Sequence, residues 1–350
     1  MIQSITIQSA IEKICHQGIP VIDIRSPQEY NKGHIPGSIS LPLFSDEQRA
    51  VVGTIYHKEG RKAAILKGFD LTGPKWSSLI QQALLQVPEQ KVILHCWRGG
   101  MRSEAMAWAL NLYGFEVEVI AGGYKAFRRW TRTRFEDPYH LIVLAGKTGS
   151  NKTGILEEIA RQGAQVIDLE GLACHHGSAY GSKGQAEGQP TQEQFENNLS
   201  FKLYELDKNR QVWIEDESIT IGRCAIPQPL YRQLCTAPSL EIEVPLSDRI
   251  RLLDEQYGVL DKVFLEEATL RIKKRLGPNV TQAALEDIRS GKMREFIRRV
   301  LVYYDKAYSK SRKKPSDKPW ILTVPLTENR KVNEIAEQLL ILANGKGIDP

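Results

Sequence analysis

Short apolar runs alternate along this chain with stretches whose apolar positions recur every three or four residues. Residues 20–24, 91–95 and 116–120 carry the first pattern and read as short buried strands. Helical spacing fills the intervals, over residues 8–16, 45–51, 77–85 and 103–113. Ser45 stands three residues before Gln48, as in a capping box. Strands interleaved with helices predict an α/β fold with a parallel sheet covered on both faces, and such sheets take ligands outside the carboxyl ends of their strands. A basic, aromatic stretch at 127–134 reads as the exit helix of this domain, closed by Asp137-Pro138. A second α/β pattern begins at residues 140–145 and continues with strands near 164–169, 211–215 and 240–244. From about Ser247 the spacing turns helical, over 248–257, 266–276, 282–291 and 294–309. The expected organisation is a first domain over residues 1–136, a second over 137–246, and a mostly helical, basic region over 247–350 packed on the second. Residues 177–192, rich in Gly, Ser and Gln, read as a mobile loop.

At 350 residues, with 41% apolar and 25% charged residues, the chain is of ordinary globular composition, and disordered or fibrous classes are excluded. No uncharged apolar run approaches the roughly 20 residues of a membrane span, and the first residues carry no secretory pattern. Five cysteines, an odd count without a C-x-x-C pair, argue against a disulfide framework and fit a reducing cytoplasm. Neither zinc nor haem is expected: the adjacent Cys174-His175-His176 seldom converge on one ion and have no complementary cluster at ligand spacing. His175 reads instead as a substrate contact. The charge is unevenly spread. Between Ala268 and Lys314, Lys and Arg outnumber Asp and Glu more than threefold, an excess that points to a polyanionic partner.

Two loops carry the candidate chemistry. The first, Cys96-Trp97-Arg98-Gly99-Gly100-Met101-Arg102-Ser103, follows the strand at 91–95 and leads into a helix. A thiol at a strand end, beside Arg98 and Arg102 and before a helix N-terminus, is biased toward thiolate. Gly99 and Gly100 let the loop close into a ring of N–H groups suited to an anion. The second, Gly146-Lys-Thr148-Gly149-Ser150-Asn151-Lys152-Thr153, fits a phosphate-binding loop except that Asn151 replaces a glycine. Asn tolerates the left-handed conformation, so the loop can still close. Lys152 would reach the terminal phosphate and Thr153 would ligate magnesium, with Asp216 of the acidic strand end Glu215-Asp-Glu217 as the tentative second ligand. Another acidic strand end holds Asp168 and Glu170. Whether this loop grips a nucleotide or only a diphosphate is open.

The first loop alone also matches the tyrosine phosphatase signature. Upstream, Asp23-Ile-Arg-Ser-Pro-Gln-Glu-Tyr30 and Gly33-His-Ile-Pro-Gly-Ser-Ile-Ser-Leu-Pro42, with Val119-Ile-Ala-Gly-Gly-Tyr-Lys-Ala-Phe127 downstream, resemble rhodanese signatures in the family's order. The seven residues from Cys96 to Arg102 exceed the six of ordinary sulfurtransferase loops, a wider ring that suits a tetrahedral oxyanion or a larger chalcogen. Joined to the phosphate loop, and with Asp168-Leu-Glu-Gly-Leu-Ala173, His175, Gly177-Ser-Ala-Tyr-Gly181, Gln189-Pro190, Phe195-Glu-Asn197, Glu215-Asp-Glu-Ser218, Ile221-Gly222 and Lys274-Arg-Leu-Gly277, the chain resembles the tRNA 2-selenouridine synthase family over nearly its whole length.

That resemblance implies a transferase that replaces the sulfur of 2-thiouridine at the tRNA wobble position. Selenium comes from selenophosphate, and the reaction passes through an S-geranyl intermediate made from geranyl diphosphate. Cys96 matches the residue that carries selenium as an S-selanyl group. The basic residues then nominated for tRNA are Arg128, Arg129, Lys273, Lys274, Arg275, Lys313 and Lys314. The competing reading is a cysteine-loop phosphatase or arsenate reductase fused to a nucleotide-binding regulatory domain.

Overall fold

The computed structural model describes residues 2–175, 180, 188–311, 321–325 and 331–345, without side chains at 309–311 and 321–325. The chain divides into two compact units, Met1–Arg134 with Glu196–Glu205, and Phe135–Phe195 with Leu206–Pro350.

In the first unit the strands are β1 (Gln3–Ile5), β2 (Val21–Asp23), β3 (Ile39–Ser40), β4 (Lys91–His95) and β5 (Glu116–Ile120). They pair in parallel in the order β1-β5-β4-β2-β3. Each face buries its own apolar layer. Leu79, Ala83, Met106 and Leu110 cover one side, and Ala10, Ile11, Tyr124 and Phe127 the other. Each such aliphatic or aromatic side chain contributes roughly 1.5–3 kcal/mol by leaving water. Helix Ile7–Gln17 is capped by Thr6 and ends on left-handed Gly18, and helix Asp46–Lys58 starts on the Ser45–Gln48 capping box. Residues 196–205 of helix Gln192–Glu205 complete this unit, with Phe201 edge-on to Phe127 and Trp130.

The second unit holds β6 (Leu141–Gly146), β7 (Gln165–Ile167), β8 (Val212–Glu215), the short hairpin β9 (Thr220–Ile221) and β10 (Cys224–Ala225), β11 (Ser239–Glu243) and β12 (Ile321–Pro325). Its main sheet is parallel in the order β12-β11-β6-β8-β7, so β6 is central and delivers its Gly-rich turn to the middle of the carboxyl edge. Helices Lys152–Arg161 and Val332–Gly345 share one face through Ile155, Ile159, Ile335 and Leu339. Helices between Leu246 and Ser311 enclose a separate core of Leu253, Leu265, Ile288, Phe296 and Leu301.

Among the described residues after Ser247 the chain is mostly helical, as expected, and one strand joins the helices: β12, which extends the main sheet by pairing in parallel with β11. A run as short as Ile-Leu-Thr-Val-Pro with no periodic partner carries little signal until an edge is available to receive it. The expected helix over 266–276 is two, Lys262–Arg271 and Lys273–Leu276, broken at Ile272. Most of the expected loop at 177–192 lies outside the described residues; within it, helix Gln192–Glu205 begins, capped by Thr191.

Candidate functional site

Cys96 follows β4 directly and is buried at the floor of its loop. Its Sγ lies 3.3 Å from Ser103 Oγ, and Ser103 donates to the Gly100 carbonyl at 2.9 Å. Burial alone would raise the thiol pKa. The Ser103 hydroxyl, the Arg102 guanidinium and the N–H groups of Arg98 and Gly100 together outweigh it and hold the thiol below its ordinary value. Arg102 is itself anchored, donating to Glu29 at 2.9 Å, and burial of Glu29 is more than offset by that arginine, so its carboxyl is depressed. Arg98 is exposed at the rim, as is Met101. Trp97 turns away and packs beside Tyr124 at 5.7 Å between centroids.

Close backbone contact shapes this ring. Gly99 has φ +66°, and a Cβ there would meet the Ile120 carbonyl at 2.4 Å; one on Gly123 would meet the Cys96 carbonyl at 2.3 Å. The two segments therefore touch only because both are glycine. Behind the loop, Arg25 binds Asp23 through Nε (2.9 Å) and Nη2 (2.5 Å), lies over the Tyr124 ring at 3.7 Å, and donates to Gly33 O. Burial opposes the Asp23 charge, but the Arg25 guanidinium and its hydrogen bonds keep the carboxyl depressed, while burial pushes His95 toward the neutral form. Removing one member of this buried set would strand the others' charges, at about 3–5 kcal/mol.

In the second unit, Asn151 adopts φ 60°, ψ 35°, the left-handed conformation a glycine would supply, and helix Lys152–Arg161 starts from it. Lys152 Nζ curls back to the Gly146 carbonyl at 3.2 Å. Ser150 is buried, and its Oγ has no hydrogen-bond partner among the described residues. Arg249 clamps the loop from helix Leu246–Tyr257, donating to Thr148 O at 2.8 Å and twice to Asp305. Gly149, at φ +80°, lets the turn approach Leu253. Successive N–H groups at a helix start, with Lys152 beside them, form an anion cradle.

The acids converging near Lys152 are Glu170, Glu215 and Glu217, with carboxylate oxygens within 4.8 Å of one another. Asp216, the tentative metal ligand of the strand pattern, is not among them. Glu215 ends β8 and Glu217 stands two positions beyond it, so the fold, not the sequence, groups these two with Glu170. Burial and the neighbouring carboxylates raise Glu170 to about 9 and Glu215 to about 8. Asp168 caps helix Leu169–Leu172 through Gly171 N at 2.7 Å, and its charge helps raise Glu215.

Of the nominated basic residues, Arg129, Lys273, Lys274 and Arg275 are exposed, whereas Lys313 and Lys314 lie outside the described residues. Arg128 is half-buried: it pairs with Glu196 and donates to Asn197 Oδ1 at 2.5 Å. His175 is buried, with its backbone N–H donating to Glu170 O at 3.0 Å.

A family profile described as the tRNA 2-selenouridine synthase AAA domain matches residues 139–338, and one described as a rhodanese-like domain matches residues 6–129. Proteins named tRNA 2-selenouridine synthase are similar over most of their length. That of Aeromonas salmonicida is 36% identical over 77% of this chain and 77% of its own, and that of Shewanella sediminis 35% over 79% and 80%. That of Hahella chejuensis is 36% identical over 83% and 85%. The chain belongs to the tRNA 2-selenouridine synthase family.

Several strings through which the chain resembles that family now have physical reasons. Asp168-x-x-Gly171 is a cap in which a Cβ on Gly171 would meet Asp168 Oδ2 at 2.2 Å. Gln189 ties three segments, donating to the Ala173 and Ile221 carbonyls and accepting from Arg223 N, beside left-handed Gly222. In Phe195-Glu-Asn197, Glu196 holds Arg128, and buried Asn197 donates to His34 O and Tyr124 Oη, each at 2.9 Å. Sequence reasoning missed Glu29 and Glu217 as site residues. Glu29 carried a signal as the third helical residue after Ser26, its capping-box partner, and Glu217 as the i+2 neighbour of Glu215. No helix among the described residues is long and apolar enough to cross a membrane.

Proposed function

We propose that this chain is a cytoplasmic transferase converting 2-thiouridine at the tRNA wobble position to 2-selenouridine, with selenophosphate as selenium donor, through an S-geranyl intermediate made from geranyl diphosphate. The observation that carries the reading is the Cys96 thiol, held below its ordinary pKa in a ring of N–H groups, in a chain whose relatives bear the name tRNA 2-selenouridine synthase.

Cys96 is the selenium carrier in this scheme, bearing the S-selanyl group, with Arg98 and Arg102 holding the oxyanion face of the donor. The phosphate loop holds the diphosphate head of the isoprenyl donor through its N–H groups, and Lys152 orients the leaving oxygen. The oxygen donors around that loop, Thr153 and the nearby carboxylates, fit Mg2+, which when bound supplies charge neutralisation to the diphosphate. Sulfide leaves C2 of uridine poorly, and an alkylated sulfur leaves more readily, so the isoprenyl group gains a chemical purpose. Arg129, Lys273, Lys274 and Arg275, exposed on the protein, are the nominated phosphate contacts for tRNA, together with Lys313 and Lys314.

Mass spectrometry of tRNA nucleosides, from cells lacking the gene and complemented with wild type or Cys96→Ser, tests this. Wild type should restore 2-selenouridine, and Cys96→Ser should restore none while S-geranyl-2-thiouridine accumulates. Selenouridine formed by Cys96→Ser would defeat the reading. Wild-type activity on an aryl phosphate that needs Cys96, with no change in nucleosides, would replace it with the phosphatase alternative.

A further inference from the structure

We infer that Glu170, Glu215 and Glu217 form a binding site for one divalent, oxygen-seeking cation beside the phosphate loop, and that Asp216 is not one of its ligands. The three acids come from different pieces of chain. Glu170 lies on helix Leu169–Leu172, Glu215 is the last residue of β8, and Glu217 follows two positions beyond. Their carboxylate oxygens nonetheless fall within 4.8 Å of one another. An ion with metal–oxygen distances of about 2.1 Å places opposite ligands about 4.2 Å apart, and a larger one with about 2.4 Å places them about 4.8 Å apart. Small side-chain movements therefore bring all three onto one ion.

A second observation separates this cluster from an ordinary acidic surface. Glu215 is fully buried. Its Oε1 accepts from Glu170 N at 2.7 Å, but its Oε2 has no hydrogen-bond partner among the described residues. An interior carboxylate oxygen left unsatisfied is costly, and here it belongs to a set whose other members are also carboxylates. The cationic group the three share is Lys152, whose Nζ is engaged with the Gly146 carbonyl. Burial and the crowding of like charges push these acids up, so without a cation they hold protons that a cation would displace. The donor set contains no thiolate or imidazole, which selects Mg2+, Mn2+ or Ca2+ over zinc.

The inference deepens the Mg2+ assignment of the functional reading but does not need its diphosphate, because all three acids come from the protein and water can fill the remaining positions. The test is therefore made on the full chain with Mn2+ alone, following loss of the free-ion electron paramagnetic resonance signal at neutral pH. Wild type should take up one Mn2+ per chain, displaceable by Mg2+. Glu217→Gln and Glu170→Gln should each weaken uptake at least tenfold, while Asp216→Asn should change it less than twofold. Thermal unfolding of each variant controls for folding. The neutral variants should unfold no earlier than metal-free wild type, and Mn2+ should raise the midpoint of wild type and Asp216→Asn but not theirs. No Mn2+ uptake without added diphosphate, or uptake lost in Asp216→Asn and kept in Glu217→Gln, would overturn the site. Mn2+ bound as described in a protein that neither geranylates nor selenates tRNA would leave the site standing and remove the functional reading instead.

Discussion

The two Gly-rich loops are built alike and charged in opposite ways. Each leaves a strand of a parallel sheet, turns through a left-handed residue (Gly99 in one, Asn151 in the other) and starts a helix. Around the first, arginine and N–H groups meet a sulfur that belongs to the protein, so the anion is stabilised in advance. Around the second, three carboxylates crowd one lysine, and burial with their mutual repulsion leaves them holding protons until a cation displaces these. A βα turn is thus only a ring of N–H donors. The side chains brought to it from elsewhere decide whether it faces a thiol beside arginine or carboxylates beside a lysine.

The sharpest way to break this contrast is through Arg102. If that guanidinium and the Ser103 hydroxyl hold the thiol down against burial, the rate of Cys96 alkylation by iodoacetamide should reach half its maximum below the value of about 8.5 for an unperturbed cysteine. The thiolate is the reacting form, so the rate rises with pH through the folded pKa and is level above it. Arg102→Met should shift that profile upward and slow alkylation near neutral pH about tenfold, the effect of one pKa unit. It also takes one of two arginines from Glu29, leaving Arg49 at 3.6 Å, and the less compensated carboxylate adds in the same direction. A profile identical to wild type would mean that backbone N–H groups alone set the thiol.

The opposite sign at the second loop predicts an opposite dependence of stability on pH. Glu170 and Glu215 are raised to about 9 and about 8 in the fold, against about 4.3 when unfolded. The folded state then holds protons that the unfolded chain has released. Their contribution is fully present below about pH 4.3 and is lost as pH rises through 8 to 9. Metal-free protein should therefore show a midpoint of thermal unfolding several degrees lower at pH 9 than at pH 6, and Glu215→Gln should flatten that slope. A midpoint insensitive to pH, with unfolding kept reversible, would show that these carboxylates are not crowded in solution.

Much of this was legible because strand ends and Gly-rich turns are local. Residues 91–103 and 140–153 each carry strand, turn and helix start in one continuous string, and both loops stand where that string places them. What escaped were partners brought in by long-range packing. Glu29 meets Arg102 across 73 residues and Arg128 meets Asn197 across 69, partners that charge counting along the sequence does not see. The acid cluster escaped for a smaller reason: three adjacent acids at 215–217 look equivalent in sequence, and only the fold groups the first and third with Glu170.

Asn151 offers the smallest and most local test of the likeness between the loops. Its φ of 60° is a conformation asparagine tolerates and glycine enters freely. Asn151→Gly should therefore change stability by no more than about 1 kcal/mol, with diphosphate affinity, read by calorimetry with inorganic pyrophosphate, held within a few-fold. Asn151→Val carries a branched Cβ into the same conformation and should cost about 1–2 kcal/mol, with a loss of pyrophosphate binding that exceeds the loss of fold. The asparagine side chain also lies against Gly154, where a Cβ would meet Oδ1 at 2.7 Å, so the glycine variant opens space there and clashes with nothing. Equal behaviour of the glycine and valine variants would mean that the turn reaches its shape without a left-handed residue at 151, and the parallel with Gly99 would be formal only.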